Sequence, residues 1–407
     1  MLPMRNKDIV IIGLQPWYTD IGSNCKNLAI EFSKTHRVLY VNIPLNRISL
    51  IKERNEAYVK AYRQVKWTKK EALTLVHKNL WIYTPRIVHE SINWIPSTGL
   101  FSYLNYQNNK RLAKDIREGV KELGFEKFII FNDNDIFRGY WLKELLDPVL
   151  YVYYCRDFLT SFGYFKKHGA KIEPLHIRKA DLAVANSIYL TDYLKKYNQN
   201  SYCIGQGCNL SLFDARISRP RPIELQNISK PIIGYVGYLT TARLDVSLMI
   251  LIAKKKPEWE LVLVGPEDDE FKRSELHQLE NVKFLGKKDV GQLPDYIQSC
   301  DVCINPQLIN DLTIGNYPLK VDEYLAMGKP VVAINTSGMA LFKEYCYLAN
   351  SHEQYLMLIE KALHEDRVEF SEKRIAIARQ HSWENSAEKF HRCLEETTIK
   401  LSLNREE

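Results

Sequence analysis

Short runs dense in valine and isoleucine recur along the chain, each separated from the next by a segment long enough for a helix. One series comprises Ile9–Ile12, Val38–Val41, Phe128–Phe131, Val149–Tyr154 and Leu182–Ala185. A second comprises Ile232–Val236, Leu261–Val264, Val282–Leu285, Val302–Ile304 and Val331–Ile334. Strands that read as continuous apolar runs are buried on both faces, which requires helices on both sides of a parallel sheet. The pattern predicts an α/β chain of two doubly wound, Rossmann-like domains. At 407 residues the chain suits two cores of roughly 200 residues each. No self-similarity at a solenoid period is present.

The two series set the expected domains. Residues 1–213 form the first, 214–231 a polar, proline-containing linker, 232–375 the second, and 376–407 a C-terminal helix. In that last segment Trp383, Ala387, Phe390 and Cys393 fall at helical spacing. The helix either simply ends the chain or crosses back to brace the first domain.

Hydrophobic residues make up 45% and charged residues 26% of the chain, a globular balance that argues against wholesale disorder. A formal charge of +7 favours anionic partners such as nucleotide diphosphates or phospholipid headgroups. The positive charge is spread out and matches no nucleic-acid module. Eight cysteines are too sparse for a disulfide scaffold. Cys300 and Cys303 have C-x-x-C spacing, but neither a second pair nor a nearby histidine completes a zinc site, so they read as packing residues. No stretch is apolar enough for a signal peptide or a membrane span, so a cytoplasmic protein is expected. Lys52–Glu71 holds seven Lys or Arg against three Glu, with Tyr58, Tyr62 and Val65 at i, i+4, i+7. This basic segment is either a solvated helix whose stripe packs on the domain or one that lies on the inner face of a membrane.

The segment richest in chemistry is Gly315 to Ile334. A loop with Gly315 and Pro318 leads into a helix from about Leu319, closed by Gly328 and followed by Pro330 and a strand. The start of such a helix offers free N–H groups and a positive dipole end to a diphosphate. Lys320 in the first turn opposes the dipole and makes sense beside a bound anion. Glu323, one turn on, can accept hydrogen bonds from two adjacent sugar hydroxyls. On these residues alone an ordinary amphipathic helix is an equal alternative.

The run Asn316-Tyr-Pro-Leu-Lys320 with Glu323-Tyr-Leu-Ala-Met-Gly-Lys-Pro-Val-Val332 resembles the donor-binding signature of glycosyltransferase family 4, and in particular its bacterial surface-polysaccharide branch. Ile232–Leu239, Leu263–Pro266, Val282–Gly286 and Asp301–Pro306 fall in the family's order, as do Ala180–Ser187 and Gly205–Gly207 with Phe213. The resemblance implies a GT-B fold, with the donor on the C-terminal domain and the acceptor on the other. It also implies a nucleotide-diphosphate sugar as substrate, retention of configuration, and no metal or other cofactor. By position, Glu323 matches the glutamate that holds the ribose, and Gly237 the glycine that lets the diphosphate approach the backbone. Arg243 falls where members place a diphosphate-binding lysine, with Lys320 a second cation, and Gly265, Asn316, Pro318 and Leu319 complete the donor-binding set. Both cations would offset charge building on the departing nucleotide. Two positions depart from the pattern: Gly315 stands where a second acidic residue is common, and Tyr238 where an arginine is.

In the first domain, Gly13 and Gly22 flank a loop with Gln15, Trp17, Asp20, Ser23 and Asn24, of the kind that faces a ligand. The two glycines are too far apart for G-x-G-x-x-G, which argues against a nicotinamide enzyme. Asn132–Asp135 has the letters of a metal loop but reads as a strand-end turn. Asp157, after the strand ending near Tyr154, either orients or deprotonates an acceptor hydroxyl or is an N-cap or Arg-paired residue. The expected function is glycosyl transfer to a glycan or lipid-linked acceptor. A nucleotide-sugar epimerase and a non-catalytic sugar-nucleotide-binding protein are the alternatives.

Overall fold

The structure, a computed structural model, describes residues 7–19, 23–67, 72–161, 163–310 and 312–403, without the side chains of Tyr58 and Trp67. The chain divides into two compact units, Met1–Gly205 with Ser386–Glu407, and Gln206–Asn385.

The first unit is built on strands β1 (Asp8–Ile12), β2 (Val38–Val41), β3 (Leu45–Asn46), β4 (Leu73–His77), β5 (Leu80–Tyr83), β6 (Val88–His89), β7 (Phe128–Asp133), β8 (Leu150–Cys155), β9 (Leu182–Ala185) and β10 (Ser201–Cys203). Eight of them form one sheet in the order β10-β9-β8-β7-β1-β2-β5-β4, while β3 and β6 pair separately. Every residue of β1, β2, β7, β8 and β9 is buried, as continuous apolar runs require. The β4–β5 pairing is antiparallel, so the sheet is not wholly parallel. Every residue of its edge strand β4 is half-buried or exposed, and the strand lacks the apolar run that marks the central strands.

The second unit carries β11 (Ile232–Val236), β12 (Glu260–Val264), β13 (Val282–Phe284), β14 (Val302–Asn305), β15 (Val331–Ile334) and β16 (Tyr347–Ala349). They form a parallel sheet in the order β13-β12-β11-β14-β15-β16. Strand order reverses beside β1 and β7 in one sheet and beside β11 and β14 in the other. Ligands of open α/β sheets bind beyond the carboxyl ends of strands at such points.

Residues 214–231 belong to the second unit and are anchored to it at a few points. Leu225 is fully buried in the second unit's core, and Arg219 reaches Asp295 at 3.3 Å and the carbonyl of Leu212 at 2.8 Å. The proline content that suggests a linker belongs here to an irregular segment laid over the unit.

The basic segment forms a helix over Ala57–Trp67. Its Val59 and Tyr62 are buried with Leu45, and Val65 joins the main core of the first unit. The described part of the stripe is therefore used in packing, which is the solvated-helix reading of the two. Residues 68–71 and the side chain of Tyr58 lie outside the described residues. No helix among the described residues is long and apolar enough to cross a membrane.

The C-terminal helix Trp383–Leu403 crosses back to the first unit. Phe390, fully buried, lies 4.7 Å from the Phe32 ring and 5.3 Å from Phe131. Truncating it removes a large apolar contact and leaves a cavity. Phe390→Ala is expected to lower stability by about 3–5 kcal/mol, read as an earlier unfolding transition in urea; an unchanged transition would show that the helix does not brace the unit.

Candidate functional site

The site begins where β11 and β12 end side by side. Gly237 follows β11 with φ +152° and Gly265 follows β12 with φ +150°, both in the region that favours glycine. A Cβ on Gly265 would lie 1.9 Å from the carbonyl oxygen of Gly237, a hard backbone clash. A Cβ on Gly237 would meet Lys320 Nζ and the Tyr235 hydroxyl, each at 3.1 Å. The paired glycines let two strand ends close up and leave backbone open beside a lysine.

Lys320 comes from the helix Leu319–Ala326. That helix starts at Pro318, and no side chain caps it, so its first-turn N–H groups have no side-chain acceptor of their own. The preceding loop is pinned from both ends. Asn310 donates to the Ala242 carbonyl at 3.0 Å, and the carbonyl of Asn316 fills the space that a Cβ on Gly338 would need. The Lys320 ammonium lies 4.2 Å from the centre of the Tyr235 ring and donates to the Tyr235 hydroxyl. A cation in a first turn opposes the helix dipole, and the ring face offsets part of that cost.

Glu323 is half-buried, and its carboxylate has no hydrogen-bond partner among the described residues. Burial pushes its carboxyl up to about 8, opposed by the neighbouring Lys320 charge. Asp322 faces the other way and is fully buried. It accepts hydrogen bonds from the Tyr317 hydroxyl at 2.6 Å and His381 Nδ1 at 2.8 Å. This knot ties the loop and helix to the segment where Cys208 N–H donates to the His381 carbonyl at 3.0 Å.

Arg243 sits in the turn after β11. Its carbonyl accepts from Leu308 N–H at 2.9 Å, which places it beside the loop that leads to Asn316. The guanidinium has no hydrogen bond or ion pair among the described residues, so none links it to Lys320 or Glu323. The structure thus brings Gly237, Gly265 and Lys320 together, with Glu323 one turn on and Asn316, Pro318 and Leu319 in the same loop and helix start.

In the first unit Asp157 is Arg-paired. It takes Arg156 Nη1 at 2.9 Å, while Arg156 Nε reaches the buried Asp133 at 2.8 Å. Asn134, at φ 55°, accepts the N–H groups of Arg156 and Asp157 at 2.8 and 2.9 Å. Asn132–Asp135 is therefore a buried strand-end turn that holds the Asp157 segment. In the loop after β1, the Tyr40 hydroxyl donates to the Gln15 carbonyl at 2.7 Å, and Asn24 opens the helix Asn24–Phe32 behind the Ser23 cap. Gly22 and Asp20 lie outside the described residues. Cys300 and Cys303 are buried packing residues, and no group of three or more metal-ligating side chains occurs among the described residues.

Sequence reasoning missed Tyr235, Tyr317, Asp322 and His381. Tyr235 is hidden in a strand that reads as uniformly apolar. Asp322 could have been found from helical phase, because it shares the inward face with Leu325 and Ala326.

Between pH 4.5, the ordinary value, and about 8, folded Glu323 keeps a proton that the unfolded chain has released. Stability therefore falls as pH rises through that window. Glu323→Gln removes this term, so the variant should gain stability relative to the wild type from about pH 5 to about pH 8 in urea titrations. A constant difference between the two would contradict the raised value.

Residues 230–363 match the family described as Glycosyl transferases group 1. The chain is 30% identical over 218 residues to TuaH of Bacillus subtilis, described as a teichuronic acid biosynthesis glycosyltransferase. That match covers 51% of this chain and 55% of the relative, so the chain matches about half the relative's length. Among solved structures, sucrose-phosphate synthase from Thermosynechococcus elongatus superposes with TM-score 0.68 at 16% identity, covering 97% of this chain and 100% of that one. Anabaena HepE in complex with UDP gives 0.65 at 15%, covering 96% and 100%. The α,α-trehalose 6-phosphate synthase of Burkholderia multivorans gives 0.68 at 12%, covering 98% and 100%. At these identities the structures show a shared fold. The second unit thus contains a Glycosyl transferases group 1 domain, in a chain with the GT-B fold.

Proposed function

We propose that the protein is a glycosyltransferase that moves a sugar from a nucleoside-diphosphate sugar onto a glycan or lipid-linked acceptor in surface-polysaccharide assembly. The observation that carries this reading is the convergence of open backbone at Gly237, the Lys320 ammonium and an uncapped helix start at the switch point of the second sheet. An anion placed there meets N–H groups, a dipole end and a fixed cation at once. HepE, of the same fold, was solved with UDP and with UDP-glucose, and the TuaH resemblance supports the polysaccharide context.

In this reading the diphosphate lies over Gly237 and Gly265. Lys320 leaves the Tyr235 face to follow the leaving phosphate, and Arg243 supplies a second cation from the turn after β11. Negative charge grows on the nucleotide as the glycosidic bond breaks, and positive groups and a helix start aimed at that charge lower the barrier. These groups do the work on the diphosphate, so the reading includes no metal. Glu323, unpartnered and held partly protonated, can both donate to and accept from the ribose hydroxyls. The reaction retains configuration and uses no protein nucleophile. Asp157, ion-paired yet partly exposed, is a candidate for orienting the acceptor hydroxyl. The exposed lysines of the 52–66 segment supply positive surface for the phosphates of a lipid-linked acceptor at the inner face of a membrane.

The test is thermal stabilisation by UDP, GDP, dTDP and their sugars. One nucleotide series should stabilise the wild type, by about 2.7 kcal/mol at a hundredfold excess over Kd. Lys320→Ala and Glu323→Ala should each weaken binding about tenfold or more, the equivalent of 1.4 kcal/mol. A wild type that no nucleotide stabilises would refute the donor-site assignment.

A further inference from the structure

A cavity of about 160 Å³ lies wholly within the first unit, with room for roughly five waters at liquid density, the scale of a single sugar ring. Its walls come from segments gathered near the carboxyl end of β7. The β3–β6 pair contributes His89, and the helix Thr98–Glu122 contributes Phe101. Phe137 comes from the turn after β7, and Phe165 from the helix Gly163–Lys179. This is the switch-point end of the first sheet, where open α/β sheets take ligands.

One wall is aromatic. Phe137 lies edge-on to Phe101 at 5.0 Å and stacks with Phe165 at 5.7 Å. The charges around it are internally matched. Arg138 Nε is 2.5 Å from Asp135, and Arg47 is 2.9 Å from Glu90. Burial, with the guanidinium charges of Arg138 and Arg111, pushes His89 down to about 3, so its ring is neutral.

Three buried polar atoms in the lining, His89 Nε2, Asn93 Oδ1 and Asp135 Oδ2, have no hydrogen-bond partner among the described residues, and only the last has a countercharge, Arg138. The Asn93 amide N–H donates to the Tyr164 carbonyl, which leaves its oxygen as an acceptor. Buried polar atoms of this kind are costly unless a ligand meets them. An apolar ligand would leave them unmet, and an anion would find no unpaired cation among the described lining residues.

We infer that this cavity binds an uncharged pyranose ring of the acceptor glycan, with ring hydroxyls on His89 and Asn93 and the C–H face against the phenylalanine wall. The inference rests on the glycosyltransferase reading and defines its acceptor side as a neutral sugar.

The experiment is saturation-transfer NMR on the full chain with the methyl glycosides of glucose, galactose and N-acetylglucosamine. Methyl glucuronide and glucose 1-phosphate serve as anionic probes. Nucleotide stabilisation is measured in parallel as a control for folding and for the donor site. At least one neutral glycoside should bind, and Asn93→Ala and His89→Ala should each weaken it fivefold or more with nucleotide stabilisation unchanged. Binding of anionic probes alone, of no glycoside, or of glycosides equally well in both variants overturns the proposal while nucleotide stabilisation stands. Absence of nucleotide stabilisation in the wild type overturns instead the reading on which it rests.

Discussion

The close approach of the ends of β11 and β12 governs the second unit's site. With Gly237 O positioned 1.9 Å from where a Gly265 Cβ would stand, only glycine at 265 lets both strands keep their register. That register in turn sets Tyr235 at the end of β11, and the Tyr235 ring gives Lys320 a place to rest. The open backbone and the resting place of the lysine are thus linked through one steric condition at the strand ends.

A second constraint keeps the helix in place. Asp322 is a buried carboxylate whose burial is tolerable because Tyr317 and His381 satisfy it. Glu323, the adjacent carboxylate, has no such partners and is held with a raised affinity for its proton. Two neighbouring acids on one helix therefore have different tasks set by environment: one locks the loop, and the other faces outward with unmet hydrogen-bonding capacity.

Much of the frame was legible in the sequence, because burial on both faces leaves an unbroken apolar run. The central strands β1, β2, β7, β8 and β9 and all of β11, β12, β14 and β15 show it. Three of the four edge strands of the two large sheets do not: β4 is half in solvent, and β10 and β16 are three residues long; the edge strand β13 was legible from the run Val282–Leu285. The donor loop was legible through Pro318, Gly328 and the family signature. The Asp322–Tyr317–His381 knot was not, since it joins residues 59 positions apart and no local pattern marks that pairing. Asn132–Asp135 and Asp157 show the converse. Their composition suggests chemistry, while the structure employs most of those groups in holding a turn together.

Hydrogen exchange of the backbone amides, measured with and without the stabilising nucleoside diphosphate, tests the central claim most directly, because it reports where the anion sits. The account predicts slowed exchange at Gly237–Leu239 and across Asn316–Glu323. Slowing confined to the first unit, or spread evenly over the chain with no focus at these two segments, would contradict it.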